Sequence, residues 1–112
     1  MSDPAATYGE FWPSYLRDHA DPRSRAVHYV GSILALAAVA LAVARLDARW
    51  LLLAPLVGYG CAWFGHFAIE RNKPATFRAP FWSLFSDYRM LALWATGRLG
   101  PHLARAGVTA PH

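Results

Sequence analysis

Charged side chains are scarce in this sequence. They make up 16% of its 112 residues, against 55% apolar residues. Soluble domains usually carry about 25% charged residues, so a fold whose whole surface faces water is disfavoured. The length leaves room for a single domain, which we place over residues 1–112.

Cysteine is nearly absent as well. Cys61 is the single one, and it lies inside an apolar stretch. A disulfide framework and a thiolate metal cluster are therefore excluded, and a buried lone cysteine usually packs as a small apolar side chain. The sequence also lacks a glycine-rich phosphate loop, a Ser/His/Asp ordering of a hydrolase and an internal repeat.

Two long apolar runs dominate what is present. Residues 26–44 and residues 50–69 contain no formal charge. A helix of about 20 residues crosses the roughly 30 Å hydrocarbon core of a bilayer, so each run is long enough to span. The alternative is a buried helix pair in a soluble bundle, but so short a chain cannot cover two helices that are apolar on all sides. We predict a two-helix transmembrane hairpin.

The basic residues outnumber the acidic ones, 11 to 7. Only Arg45 and Arg49 lie between the two apolar runs, and all the others lie outside the hairpin on its open side. The positive-inside rule then places both termini in the cytoplasm. Anionic lipid explains the basic excess without any nucleic acid, and the alanine- and arginine-rich composition favours a bacterial cytoplasmic (inner) membrane.

Shorter helices are predicted on both sides of the hairpin. Thr7 and Glu10 have the spacing of a capping box before an amphipathic, aromatic-rich segment that ends near His19. Such a segment is expected in the lipid headgroup layer, and Pro13 either starts or bends it. A third helix over about residues 81–98 is expected to be interfacial, tilted or packed on the hairpin, because its charge-free stretch is too short to span.

The predicted fold class is therefore all-α, a small integral membrane helical bundle. Its ordered core should cover residues 8–98. The ends, residues 1–6 and 101–112, are predicted to be mobile, and His102 and His112 in the second of them are expected to have no role.

Three other histidines are predicted to meet. His19 ends the first helix, His28 lies about two turns into the first span, and His66 lies about one turn before the end of the second. In an antiparallel hairpin, the start of one helix and the end of the other lie at similar depth. Glu70 follows His66 by four residues and should share its helix face.

Two or three imidazoles with one carboxylate suit iron or zinc, and two histidines with one carboxylate are typical of non-haem Fe(II) enzymes. Two alternatives stay open on the residues alone. The histidines could be hydrogen-bonding groups at the membrane boundary, with Glu70 paired to Arg71 or Arg25. Asp87 is a ligand, an orienting partner of a histidine, or an ion-pair partner of Arg89.

Two stretches carry a more specific signal, YLRDHADPRSRAVHYVG and GHFAIERNKPATFRAPFWSLFSDYRM. Over about residues 8–95 the chain resembles the Mpo-type family, small membrane proteins related to the yeast 2-hydroxy fatty acid dioxygenase of α-oxidation. In the first motif the family often has Asn-Arg where this sequence has Ser24-Arg25.

The resemblance implies an Fe(II)-dependent dioxygenase that uses O₂ to shorten a 2-hydroxy fatty acid by one carbon. The matching metal ligands are His19, His28 and His66, and zinc is a second candidate ion. Other motif or nearby positions are predicted to act in catalysis (Glu70 and Asp87) and in substrate binding (Arg25, Arg71, Asn72 and Lys73). The alternatives are a non-enzymatic scaffold or lipid-binding protein, in which the histidines join helices, and a zinc-dependent lipid hydrolase; an oligomer is compatible with each.

Overall fold

The computed structural model describes residues 7–74 and 79–108. Within these ranges the chain is all-helical, with five helices and no strand. In chain order they are α1 (Tyr8–Arg17), α2 (Pro22–Ala44), α3 (Trp50–Phe64, continued as a π-helix over Gly65–Glu70), α4 (Pro80–Ala95) and α5 (Leu99–Arg105). The predicted fold class is confirmed.

Helix α1 begins as the capping-box spacing predicted. The Thr7 side chain accepts a hydrogen bond from the backbone N–H of Glu10 at 3.3 Å, and the helix continues through Pro13. Its apolar face is buried against α4 and α5 in a core that includes Phe11 and Tyr15. The protein itself therefore covers this face, where the sequence predicted burial in the headgroup layer.

Helices α2 and α3 form the antiparallel hairpin. Asp21 caps α2 by accepting from the N–H of Arg23, and the turn after α2 places Leu46 in the left-handed region. The helices cross closely at Gly31, where an added Cβ would lie 2.6 Å from the Cβ of Cys61. Small residues at a helix crossing let backbones approach in this way.

Both hairpin helices are long and apolar enough to cross a membrane, over Pro22–Ala44 and Trp50–Glu70. Many of their large apolar side chains point away from the protein; Leu52 and Leu56, for example, are each 70% exposed. A continuous apolar surface of this kind is unusual on a water-soluble monomer. Helix α4, with 16 residues, is shorter than a typical span.

The segment after Gly100 differs from the prediction. Instead of a loosely ordered tail, Leu99–Arg105 form α5, and Leu103 is buried in the core beside α1. Gly97 takes a positive φ of 71° in the turn before α5. The physical reason for the helix is that Leu99 and Leu103, four residues apart, share one face that is buried. His102 accepts a hydrogen bond from the Trp12 indole N–H at 3.1 Å, so it too has a structural role. Residues 1–6 and 109–112, with His112, lie outside the described ranges.

Candidate metal centre

The three predicted histidines come together in the folded chain. His19 follows the end of α1, His28 lies on α2, and His66 lies in the π-helical end of the second span. Their side chains are 0%, 3% and 2% exposed. One ring nitrogen from each lies within 4.8 Å of the others, and the ring centroids are 4.4 to 5.0 Å apart.

The π-helix over Gly65–Glu70 sets the position of His66. It ends at Arg71, which has a φ of 58° and whose N–H donates to the His66 carbonyl. The Asn72 N–H donates to the same carbonyl at 2.9 Å. Gly65 brings this segment against α2, because an added Cβ would lie 3.1 Å from Ser24 Oγ. Isolated π-turns occur often at functional sites. The sequence predicted a regular α-helix here and contains no clear signal for the change.

Two of the histidines have their tautomers defined by backbone carbonyls. His19 Nδ1 lies 2.7 Å from the Tyr15 carbonyl oxygen, and His28 Nδ1 lies 3.1 Å from that of Ser24. A carbonyl oxygen only accepts hydrogen bonds, so each Nδ1 must carry the proton and donate it. In each ring, Nε2 is then left as an acceptor with a lone pair.

The third tautomer is defined through Asn72. Its Nδ2 donates to the Asp18 carbonyl at 3.0 Å, which fixes the orientation of the amide. Its Oδ1 therefore faces His66 Nδ1 at 2.7 Å and accepts a hydrogen bond from it. The sequence assigned Asn72 to substrate binding, whereas in the structure its side chain contacts His66.

The facing Nε2 atoms of His19 and His28 favour a cation between them. His19 Nε2 and His28 Nε2 are 3.0 Å apart, and with both Nδ1 atoms protonated their lone pairs face each other. A single metal ion bound by both nitrogens would remove the repulsion between these lone pairs. Burial, with a smaller effect of His28 and His66, holds the pKa of His19 well below its usual value, which favours the neutral imidazole that metals bind. The donor set fits a divalent ion.

The carboxylates do not join the histidines. Glu70 Oε2 accepts from the Asp21 backbone N–H at 2.7 Å, at the start of α2. Glu70 is the last residue of the π-helix, where it reaches an N–H that the first turn of α2 leaves without an intrahelical acceptor. Among the residues that the structure describes, the group that could hold a metal ion is formed by three histidines, and Glu70 is not part of it.

Asp87 contacts the site through α1. Its carboxylate accepts a hydrogen bond from the Tyr15 hydroxyl, and the Tyr15 backbone carbonyl receives the His19 proton. Burial raises the pKa of Asp87 to about 7, against the opposing effect of the Tyr15 hydrogen bond. The predicted ion pair with Arg89 is not formed: the Arg89 guanidinium lies 4.2 Å from the centroid of the Trp12 ring.

Of the three basic residues predicted to bind substrate, one is buried and two are exposed. Arg25 is 4% exposed and its Nη1 donates to the carbonyls of His19 and Ala20 at 2.7 and 3.0 Å. It therefore holds the loop that carries His19. Arg71 and Lys73 are exposed and line an open surface depression.

Sequence reasoning identified the three rings but missed the groups that orient them. The contributions of Tyr15 and Ser24 come from backbone carbonyls, which carry no residue-type signal. The sequence predicts that Asn72 and Arg25 contact a substrate, whereas in the structure they contact His66 and the backbone carbonyl of His19. Their spacing from the histidines in the chain does not reveal which atoms meet.

Comparison with known proteins identifies the family of this chain. The family model described as "2-hydroxy-palmitic acid dioxygenase Mpo1-like" matches residues 5–99. Searches of curated proteins and of solved structures gave no match. Since the family model covers most of the chain, including all three clustered histidines, the protein belongs to the Mpo1-like family.

Proposed function

We propose that the protein is an Fe(II)-dependent dioxygenase that shortens 2-hydroxy fatty acids by one carbon. The observation that carries the proposal is the set of three buried imidazoles, each with Nδ1 hydrogen-bonded to a defined oxygen and with one ring nitrogen within 4.8 Å of those of the other two. The family description names the reaction type and a 2-hydroxy fatty acid. Together they favour an oxidative site over a purely structural cluster.

His19, His28 and His66 would hold the iron. Ferrous iron bound there would supply the redox chemistry that oxidation of a 2-hydroxy acid by O₂ requires. Three protein ligands leave further coordination positions, which is the usual difference between a catalytic and a structural site. Imidazole also binds zinc well, so the identity of the ion belongs to the proposal.

The surrounding residues have distinct proposed roles. The Tyr15 and Ser24 carbonyls and the Asn72 amide orient the rings, as hydrogen-bonding partners of metal-bound histidines usually do. Asp87, with a pKa of about 7, can accept or release a proton near neutral pH, so we assign it acid–base catalysis. For Glu70 we now propose a positioning role, because its carboxylate holds the start of α2.

In our proposal this site lies at a membrane boundary, and the support for this is that both hairpin helices are long and apolar enough to cross a bilayer. Both termini would face the cytoplasm of a bacterial inner membrane. Arg71 and Lys73, which are exposed beside Asn72, would attract the substrate carboxylate from the lipid surface. Arg25 would act instead as a positioning residue, because its guanidinium is bound to backbone carbonyls.

The test combines metal analysis with turnover. Protein purified anaerobically with Fe(II) should contain one iron per chain and should consume 2-hydroxypalmitate under O₂, releasing a product one carbon shorter. His28→Ala and His66→Ala should lose both the iron and the activity. His102→Gln is the matched control, because His102 lies outside the cluster; it should keep both.

The alternatives give different results. Wild-type protein without stoichiometric metal, unchanged by His66→Ala, would indicate a scaffold or lipid-binding protein. Activity restored by zinc and directed at a lipid ester would indicate a hydrolase. Loaded protein that leaves 2-hydroxypalmitate intact under O₂ would refute the dioxygenase proposal for this substrate class.

A further inference from the structure

A cavity of about 340 Å³ lies beside the histidine cluster, between α2, α3 and α4. His28 and Asp87 line it near the cluster, and Ser32 and Tyr88 lie next to them. Farther along the hairpin the lining becomes apolar. The lining groups there are the side chains of Leu36, Val39, Ala54 and Pro55.

The cavity is elongated along the hairpin. Val39 lies eleven residues after His28 on α2, or about 16 Å farther along the helix at the rise of an α-helix. Small residues, Ala35 and Ala62, keep the floor open. Its volume lies in the usual range for small-molecule sites. Leu36 and Val39 are partly exposed at the rim, on the side that a bilayer would cover.

We infer that this cavity binds the acyl chain of the substrate, with the carboxylate and 2-hydroxyl beside His28 and the tail directed toward the turn between α2 and α3. The inference rests on the proposed function for the identity of the head group. A ligand with a polar acid at one end and a long apolar tail matches the polar-to-apolar order of the lining. The partly exposed rim gives a tail a lateral path from the bilayer.

Ala54 would then limit the chain length. It is half-buried at the apolar end of the cavity, and its methyl group leaves room that a phenyl ring would fill. Each methylene that a site buries improves affinity by about fourfold. If Ala54→Phe excludes two or three methylenes, binding of a long chain should weaken by about 15- to 60-fold, while a chain that ends before Ala54 should be unaffected.

The experiment is a competition assay in detergent micelles. Wild type, Ala54→Phe and Ala40→Phe are loaded with the fluorescent fatty acid cis-parinaric acid, which 2-hydroxypalmitate or 2-hydroxydecanoate then displaces. Ala40→Phe is the matched control, because Ala40 is exposed on α2 and does not line the cavity. Comparing variants at the same chain length cancels differences in partition into micelles.

We expect Ala54→Phe to lose affinity for 2-hydroxypalmitate alone and Ala40→Phe to match wild type. Equal affinities for the long chain in all three proteins would overturn the inference. Val39→Phe, on the opposite helix at the same end, repeats the test if Ala54→Phe loses both ligands. Loss of both ligands by this variant too would overturn a chain-length role.

Turnover separates this inference from the proposed function. A chain-length shift in binding without oxidation of either acid would support the acyl-chain site and refute the dioxygenase. Oxidation of 2-hydroxypalmitate by wild type, with the same chain-length preference in Ala54→Phe, would support the dioxygenase and refute the acyl-chain site.

Discussion

Replacing Asn72 with alanine tests whether the orientation of His66 matters for metal binding. The substitution removes the Oδ1 acceptor of the His66 Nδ1–H and the Nδ2 donor to the Asp18 carbonyl. His66 is 2% exposed, so water cannot easily replace the lost oxygen. We expect the ring to turn its Nδ1–H toward another acceptor, which moves the opposite nitrogen away from His19 and His28.

The size of the effect follows from these two bonds. Depriving a buried donor of its partner costs about 1–3 kcal/mol. Loss of a hydrogen-bonding partner of a metal-bound histidine usually weakens metal binding about 10- to 100-fold, which corresponds to roughly 1.4 to 2.8 kcal/mol. The two figures agree, so we expect Asn72→Ala to lower the affinity for Fe(II) by about 10- to 100-fold.

The assay is an anaerobic Fe(II) titration against a competing chelator, with Lys73→Ala as the control. Lys73 is the exposed neighbour of Asn72 on the same loop, so its removal should leave the affinity within about twofold of wild type. Thermal unfolding of the metal-free proteins checks that each variant is folded. Equal Fe(II) affinities for Asn72→Ala and wild type would refute the orienting role of Asn72.

Two further predictions concern the stability of the fold: the first tests the close packing at Gly31, and the second tests the hydrogen bond between Trp12 and His102. Gly31→Ala should destabilise the hairpin by about 1–3 kcal/mol, because its Cβ would lie 2.6 Å from the Cβ of Cys61; Gly60→Ala, whose Cβ would meet nothing within 4 Å, should not. Denaturation with SDS measures both, and equal losses would contradict close packing at Gly31. Neutral His102 accepts a hydrogen bond from the Trp12 indole N–H, and burial lowers the pKa of His102. The contribution of this hydrogen bond to the free energy of unfolding is therefore fully present above the ordinary histidine pKa near 6.5. It is lost as pH falls through the lowered pKa. The difference in melting temperature between wild type and His102→Gln should therefore shrink in acid, and a constant difference would contradict this linkage.

Among the described residues, the candidate centre is a group of three histidines without a carboxylate, whereas the sequence suggested two or three imidazoles with one carboxylate. Glu70 lies four residues after His66, and an ideal α-helix would place both on one face. The chain instead forms a π-helix from Gly65 onward, and Glu70 binds the backbone at Asp21. A spacing rule cannot anticipate this, because it assumes the regular helix that the structure abandons at the site.

Asn72 shows a second limit of sequence reasoning. The amide was recognised within a motif, but its contact with the Asp18 carbonyl joins positions 54 residues apart. In the sequence, an amide between arginine and lysine is compatible with binding a substrate carboxylate and equally with contacting a histidine. Only the position of the α1–α2 loop against the end of the second span decides that Asn72 faces His66.

Several features of this protein depend on the sequence alone. Local composition determines the length of the two apolar runs and the capping residues Thr7 and Asp21. The antiparallel path of a hairpin brings His28 and His66 close together. These are properties of the chain over one or two helices, so they can be predicted without knowledge of tertiary contacts. The tertiary structure decided the rest: the π-helix, the oxygen atom that faces each Nδ1, the hydrogen bond between Glu70 and the Asp21 backbone, and the packing of α5. Those depend on distances of a few ångströms between segments far apart in the chain, which hydrophobic periodicity does not encode.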